Sequence, residues 1–197
     1  QRTQEENTAL DSCFLGEAHF LRFRAKAEQL SSTPLAQRRA LLREAFNEYT
    51  EAVKNNRDLM LFDHARFVPL QLLGVGGTSY VFSVLVADPA RSIGDPEVKT
   101  LALKAIKEEF SQRNRELRRE LYKDINTLQA LQHPNVIKVF QERDISEMDF
   151  LDREYLYILQ EEFEGETLQD VLHRLKRRPH SESKTAADYI ETVQIMC

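Results

Sequence analysis

Three glycines and one lysine are the residues whose spacing could support chemistry with a phosphorylated ligand. Gly74, Gly76 and Gly77 interrupt a run of apolar residues, and Lys104 lies within a later apolar run. Backbone without a side chain can approach a phosphate closely, and an ammonium is costly to bury unless it faces an anion. The pattern therefore indicates a phosphate site, provided that the fold brings the two segments together.

Both features also have a plain structural alternative. Glycines can serve a tight hairpin that needs positive φ angles, and a lysine on an edge strand can extend its ammonium to water. The glycines lie between two predicted strands, 68–73 and 80–87. A dinucleotide-binding or P-loop site needs a helix after the glycines, so these two classes of site are disfavoured. A flap of backbone N–H groups over phosphates and a simple hairpin both remain open.

Hydrophobic periodicity predicts the elements that would position these residues. A polar stretch with prolines and a glycine predicts a surface loop over 88–100. Helix formers with a leucine stripe predict one large helix over about 109–131. The strands are predicted near 67–75, 79–87, 100–107, 136–142 and 155–161.

Two amphipathic helices are predicted ahead of the strands. Residues 1–10 are polar, and we expect them to be frayed. The first helix is predicted from Asp11 to about Leu30. Its stripe comprises Phe14, Ala18, Leu21, Ala25 and Glu28.

The second helix is predicted to follow a break at residues 31–34. Thr33 is a suitable N-cap, Pro34 suits the first helical position, and the helix is expected to end near Asn55-Asn56. Its stripe comprises Leu35, Leu42, Phe46, Tyr49 and Val53, with a heptad spacing too short to predict a coiled coil. We expect 11–57 to form a helical hairpin that docks on the neighbouring domain or associates with another chain.

From about Phe67 to Cys197 the sequence resembles the protein kinase family, through five motifs in the family's order. Gly74, Gly76 and Ser79 fill the glycine-loop positions, and Val81 aligns with the valine that caps the adenine ring. The later motifs are Leu101-Ala102-Leu103-Lys104 for the lysine strand, 133–139 for the turn into the fourth strand, and 155–168 for the fifth strand, hinge and following helix. Within the family the loop and hinge are most similar to the tousled-like kinases, although that group's basic insertion is not visible here.

The resemblance implies an α+β fold and its domain boundaries. The expected architecture is a protein-kinase-like N-lobe, with a five-stranded antiparallel sheet plus one large helix, and an N-terminal helical extension. The extension would cover 1–66, the N-lobe 67–163, and helices that begin a C-lobe 164–197. An unrelated α+β domain with a chance glycine hairpin remains a further alternative.

The resemblance also implies a site for ATP and the residues that form it. Gln160 would be the gatekeeper at the back of the adenine pocket, and backbone groups of Glu161 and Phe163 would face the adenine edge. Leu128 and Val139 fall where kinases place two residues of a hydrophobic stack. The implied nucleotide-binding residues are Gly74, Val75, Gly76, Gly77, Ser79, Val81, Ala102, Lys104, Gln160, Glu161 and Phe163.

Kinases pair the strand lysine with a glutamate on the large helix as well as with phosphates. That glutamate lies ten positions before the proline of the family's His-Pro pair, Pro134 here, and this chain has Asp124 there. The side chain is one methylene shorter, so full catalytic competence does not follow from the resemblance. Glu120, one turn earlier, is the alternative partner of Lys104.

The kinase catalytic loop and the Asp-Phe-Gly motif are absent from this sequence, which ends within a pattern resembling the helix before that loop. The resemblance therefore implies no catalytic residue and no metal ligand in this chain, and Mg²⁺ with the ATP only where a C-lobe is present. Two functions are consistent with it. One is a fragment of a Ser/Thr-type protein kinase that phosphorylates proteins in its full-length form; the other is a pseudokinase module that serves as a structural or docking subunit of a larger assembly.

Composition excludes several other classes of function. A net charge of −5 gives no electrostatic support for binding nucleic acid or an anionic membrane. No run approaches the roughly 20 apolar residues of a membrane span. Cys13 and Cys197 have no metal-ligand spacing, and such cysteine usage favours a reducing, intracellular compartment, cytoplasmic or nuclear.

Overall fold

The computed structural model describes residues 2–86, 100–107, 123, 126–128, 130–131, 133–134, 136–140, 147–148, 153–163, 165 and 171–172. Helix α1 spans Arg2–Gln29 and helix α2 spans Leu35–Asn55, followed by a 3-10 helix at Arg57–Leu59. The strands are β1 Phe67–Val75, β2 Ser79–Val86, β3 Thr100–Ile106, β4 Glu147–Met148, β5 Arg153–Glu154 and β6 Tyr157–Glu161. Both helices and the sheet belong to one compact unit, 1–132 with 136–162, and residues 133–135 and 163–197 form a second.

Strands β1, β2, β3 and β6 form one antiparallel sheet in that order, and β4 pairs with β5 in a separate ribbon. The α+β class and the antiparallel sheet are therefore confirmed. In place of a fifth strand near 136–142, the described residues contain a single antiparallel bridge from Val139 to Gln160. Of the large helix predicted over 109–131, only Lys123, residues 126–128 and Ala130 are described as helical. The rest of that helix lies outside the described residues.

Alternation along the strands gives the sheet two different faces. One of them, here named the core face, packs against both helices. Rings of Phe23 on α1 and Tyr49 on α2 lie 4.8 Å from Tyr80 and 5.0 Å from Phe82, respectively. The helical hairpin formed by α1 and α2 is therefore docked on the sheet, as predicted. The large side chains of the core face are Phe67, Leu72, Tyr80, Phe82, Val84, Leu103, Tyr157 and Leu159.

The stripe predicted for α2 is confirmed, but its predicted cap is wrong. Tyr49 and Val53 are buried, and the other stripe residues are partly buried. The Thr33 hydroxyl donates instead to Gln29 O, at 2.7 Å, and no side chain caps α2 after Pro34. The last carbonyl groups of a helix have no partner within the helix, and the hydroxyl satisfies one of those of α1.

The stripe predicted for α1 is wrong. Phe14 and Leu21 are 65% and 63% exposed. The helix has apolar residues on both sides, so spacing alone does not select one, and the rings of Phe20 and Phe23 fill the space against the sheet. The helix also begins at Arg2 rather than near Asp11, and the fraying expected of residues 1–10 stays a prediction. The side that packs inward carries Gly16, Phe20, Phe23, Ala27 and Leu30.

Polar side-chain pairs join the two helices in antiparallel register. His19 Nδ1 lies 2.7 Å from Glu48 Oε2, and Lys26 Nζ lies 2.7 Å from Glu44 Oε2. A further constraint is steric, because a Cβ added to Gly16 would lie 2.6 Å from the Cβ of Asn56. The close approach of α1 to the end of α2 therefore requires glycine at this position.

A buried polar pair closes the base of the helical hairpin. The fully buried Tyr49 hydroxyl accepts the Leu61 N–H at 3.1 Å and lies 2.7 Å from His64 Nε2. Burial raises the pKa of Tyr49 well above its usual value, so the hydroxyl keeps its proton. Burial also lowers the pKa of His64 to about 4, against a smaller opposing effect of Asp63. His64 is therefore neutral at pH 7.

Candidate functional site

Val81, Ala102, Lys104 and Gln160 lie together on the side of the sheet opposite the helices, here named the site face. In the antiparallel register Val81 pairs with Lys104, and Ala102 pairs with Gln160. Paired residues lie on the same side of a sheet, and the neighbours of Val81 and Lys104 along their strands belong to the core. The structure therefore brings predicted site residues from three strands onto one surface.

The surface formed by these residues combines small apolar side chains with one lysine. Ala102 is buried and contributes only a methyl group, whereas Val81 is half-buried beside it. Lys104 is two residues along β3 from Ala102, which places the two Cα atoms about 7 Å apart. The site face thus has an apolar part formed by Val81 and Ala102 beside the Lys104 ammonium.

Lys104 lies on a central strand, between β2 and β6. The alternative that places it on an edge strand is therefore wrong. Its side chain is half-buried, and none of the described acidic residues forms an ion pair with it. The two predicted partners, Asp124 and Glu120, lie outside the described residues, so their pairing with Lys104 stays a prediction.

The glycine hairpin, residues 74–79, joins β1 to β2 at the end of the sheet nearest Lys104. Gly76 N donates to Ser79 O at 2.8 Å and closes the turn. A strand follows the glycines, as the sequence predicts. Gly74 pairs with Val81 and so lies on the site face.

The described fold does not require glycine at the three glycine positions of the hairpin. None of the three glycines has a φ angle in the left-handed region. A Cβ at Gly74 or Gly77 would meet no atom within 4 Å, and at Gly76 it would make ordinary contact, 3.5 Å from Ser79 Oγ. The alternative of a tight hairpin that uses glycine for positive φ angles is therefore wrong. The free space leaves the backbone open to close approach by a ligand.

Other residues implied by the resemblance occupy different places. The Val75 side chain packs against the core, so only its backbone can contribute to the site face. Glu161 N–H donates to Lys138 O at 2.9 Å, and the resemblance assigns the Glu161 carbonyl to the adenine. Phe163 belongs to the second compact unit. Of the two hydrophobic-stack positions, Val139 is buried and Leu128 is half-buried.

Ser83 and Glu162 form a contact on the site face that sequence reasoning missed. Ser83 lies beside Ala102 in the register, is almost fully buried, and its hydroxyl donates to Glu162 Oε2 at 2.7 Å. The two residues are 79 positions apart in the chain, so no local spacing connects them. The contact ties β2 to the end of β6, beside the apolar part of the site.

Lys107 was also missed. It follows β3 directly, and its ammonium donates to the Gly77 carbonyl at 3.1 Å. Three positions separate it from Lys104, and alternation in a strand therefore predicts that the two lysines point to opposite faces. Strand alternation could have located Lys107 on the core side but not its contact with the turn.

In the described part of the chain, no group of three or more His, Cys, Asp or Glu residues could hold a metal ion. The helices among the described residues are not long and apolar enough to cross a membrane. Comparison with models of protein families and with curated proteins finds no match for this chain. The kinase resemblance therefore rests on the motif residues and on the surface that they form.

Proposed function

We propose that this chain carries the ATP-binding N-lobe of a protein-kinase-like domain. In its full-length form the protein would be a Ser/Thr-type kinase that phosphorylates proteins. The observation that carries the proposal is the site face, where Gly74, Val81, Ala102, Lys104 and Gln160 lie in register. Transfer of phosphate would need a catalytic loop and metal ligands that this sequence lacks, so the function proposed for the chain itself is nucleotide binding.

The glycine hairpin supports phosphate binding because packing gives it no other use. Alanine would fit at Gly74 and Gly77 without a clash. Glycine in a strand or turn costs more backbone entropy on folding than alanine does. Glycine at positions where the fold does not require it is best explained by a ligand that approaches the backbone.

Lys104 supports the same function by its position and its surroundings. A half-buried ammonium on a central strand is unfavourable unless an anion lies near it. The described acidic residues do not supply that anion through an ion pair. The phosphates of ATP, together with the predicted Asp124 carboxylate, would do so.

A docking function is the second candidate, and α1 favours it. Phe14 and Leu21 are exposed on the outer side of this helix, together with Leu10. Apolar side chains grouped on one surface are often a contact site for another protein. A pseudokinase module in a larger assembly would use this surface, and it need not bind ATP tightly.

Titration of the ¹⁵N-labelled chain with ATP tests the proposed function. We expect the largest amide shifts at Gly74–Ser79, at Lys104 and at Gln160–Glu161. A Lys104→Met variant should bind ATP at least about tenfold more weakly, because an ammonium–phosphate contact is lost. Lys54→Met is the matched control, since Lys54 is an exposed lysine on α2 that pairs only with Glu51 among the described residues.

Two results would contradict the proposal. The first is the absence of ATP-dependent shifts on the site face at millimolar nucleotide. The second is an equal ATP affinity for the Lys104→Met and Lys54→Met variants. With either result, the docking function would be the better account of the chain.

A further inference from the structure

Lys107 contacts the glycine hairpin from the side opposite Lys104. Its ammonium donates to Gly77 O at 3.1 Å, and its backbone N–H donates to Thr78 O at 2.9 Å. The same ammonium lies 5.1 Å from the centre of the Tyr80 ring. One side chain therefore connects the tip of the turn to the first residues of β2.

The ring beneath this ammonium is held firmly by the helical hairpin. Tyr80 is buried on the core face, and its ring centre lies 4.8 Å from that of Phe23 on α1. Phe23 is fully buried and lies 5.3 Å from the ring of Tyr49 on α2. The Tyr80 ring thus provides a fixed platform for the Lys107 ammonium.

A turn rich in glycine needs such a contact more than other turns do. Glycine loses more conformational freedom on ordering than any other residue, and the closing bond from Gly76 N to Ser79 O is short-range. The Lys107 contact adds a charge-assisted hydrogen bond and a cation–π interaction to that closing bond. The nucleotide would then meet a turn that is already ordered.

We propose that Lys107 is a positioning residue that holds the glycine hairpin in the conformation that receives phosphates. Because the ammonium is on the core side and already engages Gly77 O, it acts through the turn and does not touch the nucleotide. Its effect on the turn is independent of any ligand. Its effect on affinity rests on the proposed function.

Hydrogen exchange of the free chain tests the first part. Lys107→Met should speed exchange of the Gly76 amide and of the amide at position 107 by about five- to tenfold. Exchange of the Leu103 amide, in the middle of β3, should not change. Lys107→Arg, which can still donate to the carbonyl and stack on the ring, should restore protection.

Lys138→Met is the matched control. Lys138 also lies over an aromatic ring, 5.3 Å from the centre of Phe140, but it does not contact the turn among the described residues. This variant should leave exchange in the glycine hairpin unchanged. An equal change in both variants, or no change in Lys107→Met, would overturn the proposal.

Comparing ATP with adenosine tests the second part. A residue that orders a phosphate-binding turn should lower the affinity for ATP by about fivefold and leave that for adenosine unchanged in Lys107→Met. An equal loss for both ligands would overturn the positioning role, because it would indicate general damage to the lobe. If the unmodified chain bound no ATP, the proposed function would fail, and the exchange data alone would still decide whether Lys107 orders the turn.

Discussion

The two faces of the sheet differ in how completely packing explains their residues. On the core face large side chains pack against the helices, as Tyr80 does against Phe23 and Phe82 does against Tyr49. On the site face Lys104 is half-buried without a described acidic partner. Gly74 has no side chain, although the space beside it would accept one. Residues that stability does not require are the ones that indicate function.

The glycines also differ in whether packing requires them. Gly16 is required by the fold, because its Cβ would lie 2.6 Å from that of Asn56. Gly74 and Gly77 are not required, since a Cβ there meets no atom within 4 Å. Glycine therefore allows two helices to pack closely at Gly16, whereas at Gly74 and Gly77 it leaves the backbone exposed.

Adjacent residues of β2 should show the largest difference between the faces. Phe82→Ala should lower the free energy of unfolding by about 3–5 kcal/mol, because it leaves a cavity among buried rings. Val81→Ala should cost about 1 kcal/mol, since its side chain is half-buried, but should weaken ATP binding. Urea unfolding measures the two losses of stability, and ATP titration measures the loss of affinity. A larger stability loss for Val81→Ala than for Phe82→Ala would contradict the assignment of the faces.

Stability of the core face should also depend on pH through His64. Its pKa is about 4 in the folded chain and near 6.5 when unfolded, so between these values the unfolded chain binds more protons. The stabilising contribution is therefore complete above pH 6.5 and is lost as the pH falls through 4. It amounts to on the order of 3 kcal/mol.

Urea unfolding between pH 7 and pH 4 measures this dependence, and the His64→Gln variant serves as its control. Other groups titrate in the same range, so the difference between the two chains is the relevant quantity. That difference should shrink steadily toward pH 4. A constant difference over the range would show that His64 does not carry the effect.

A smaller effect is expected for Gly16→Ala. The added methyl group meets Asn56 Cβ and the Ala52 carbonyl, so the two helices must separate. We expect a loss of about 1–2 kcal/mol in the free energy of unfolding, because overpacking outweighs the better helix propensity of alanine. An unchanged or increased stability would show that the helical hairpin is looser than its contacts indicate.

The smallest expected effect concerns Ser83→Ala. Glu162 loses a donor at 2.7 Å in a partly buried position, which should cost about 1 kcal/mol. Thr50→Ala is the control, because the Thr50 hydroxyl is exposed and bonds only to Phe46 O of its own helix among the described residues. Similar unfolding free energies for the two variants would indicate that the Ser83 contact contributes nothing.

Much of the sheet could be predicted from local sequence, because the two sides of a strand alternate at every residue. The positions of Val81, Ala102 and Lys104 on one face follow from alternation and from the antiparallel hairpin. The α1 stripe could not be predicted, since Phe14 and Phe20 offer the helix two apolar sides and the sheet decides between them. Long-range contacts, such as Ser83 with Glu162, depend on the register between strands that no local spacing encodes.

The most direct test of the account combines stability and affinity in the double variant Gly74→Ala/Gly77→Ala. Alanine fits at both positions, so the free energy of unfolding should stay within about 0.5 kcal/mol or rise slightly. The affinity for ATP should fall by at least about tenfold, because the methyl groups keep phosphates from the backbone. Unchanged ATP affinity, or a loss of stability above about 2 kcal/mol, would contradict the claim that these glycines serve a nucleotide rather than the fold.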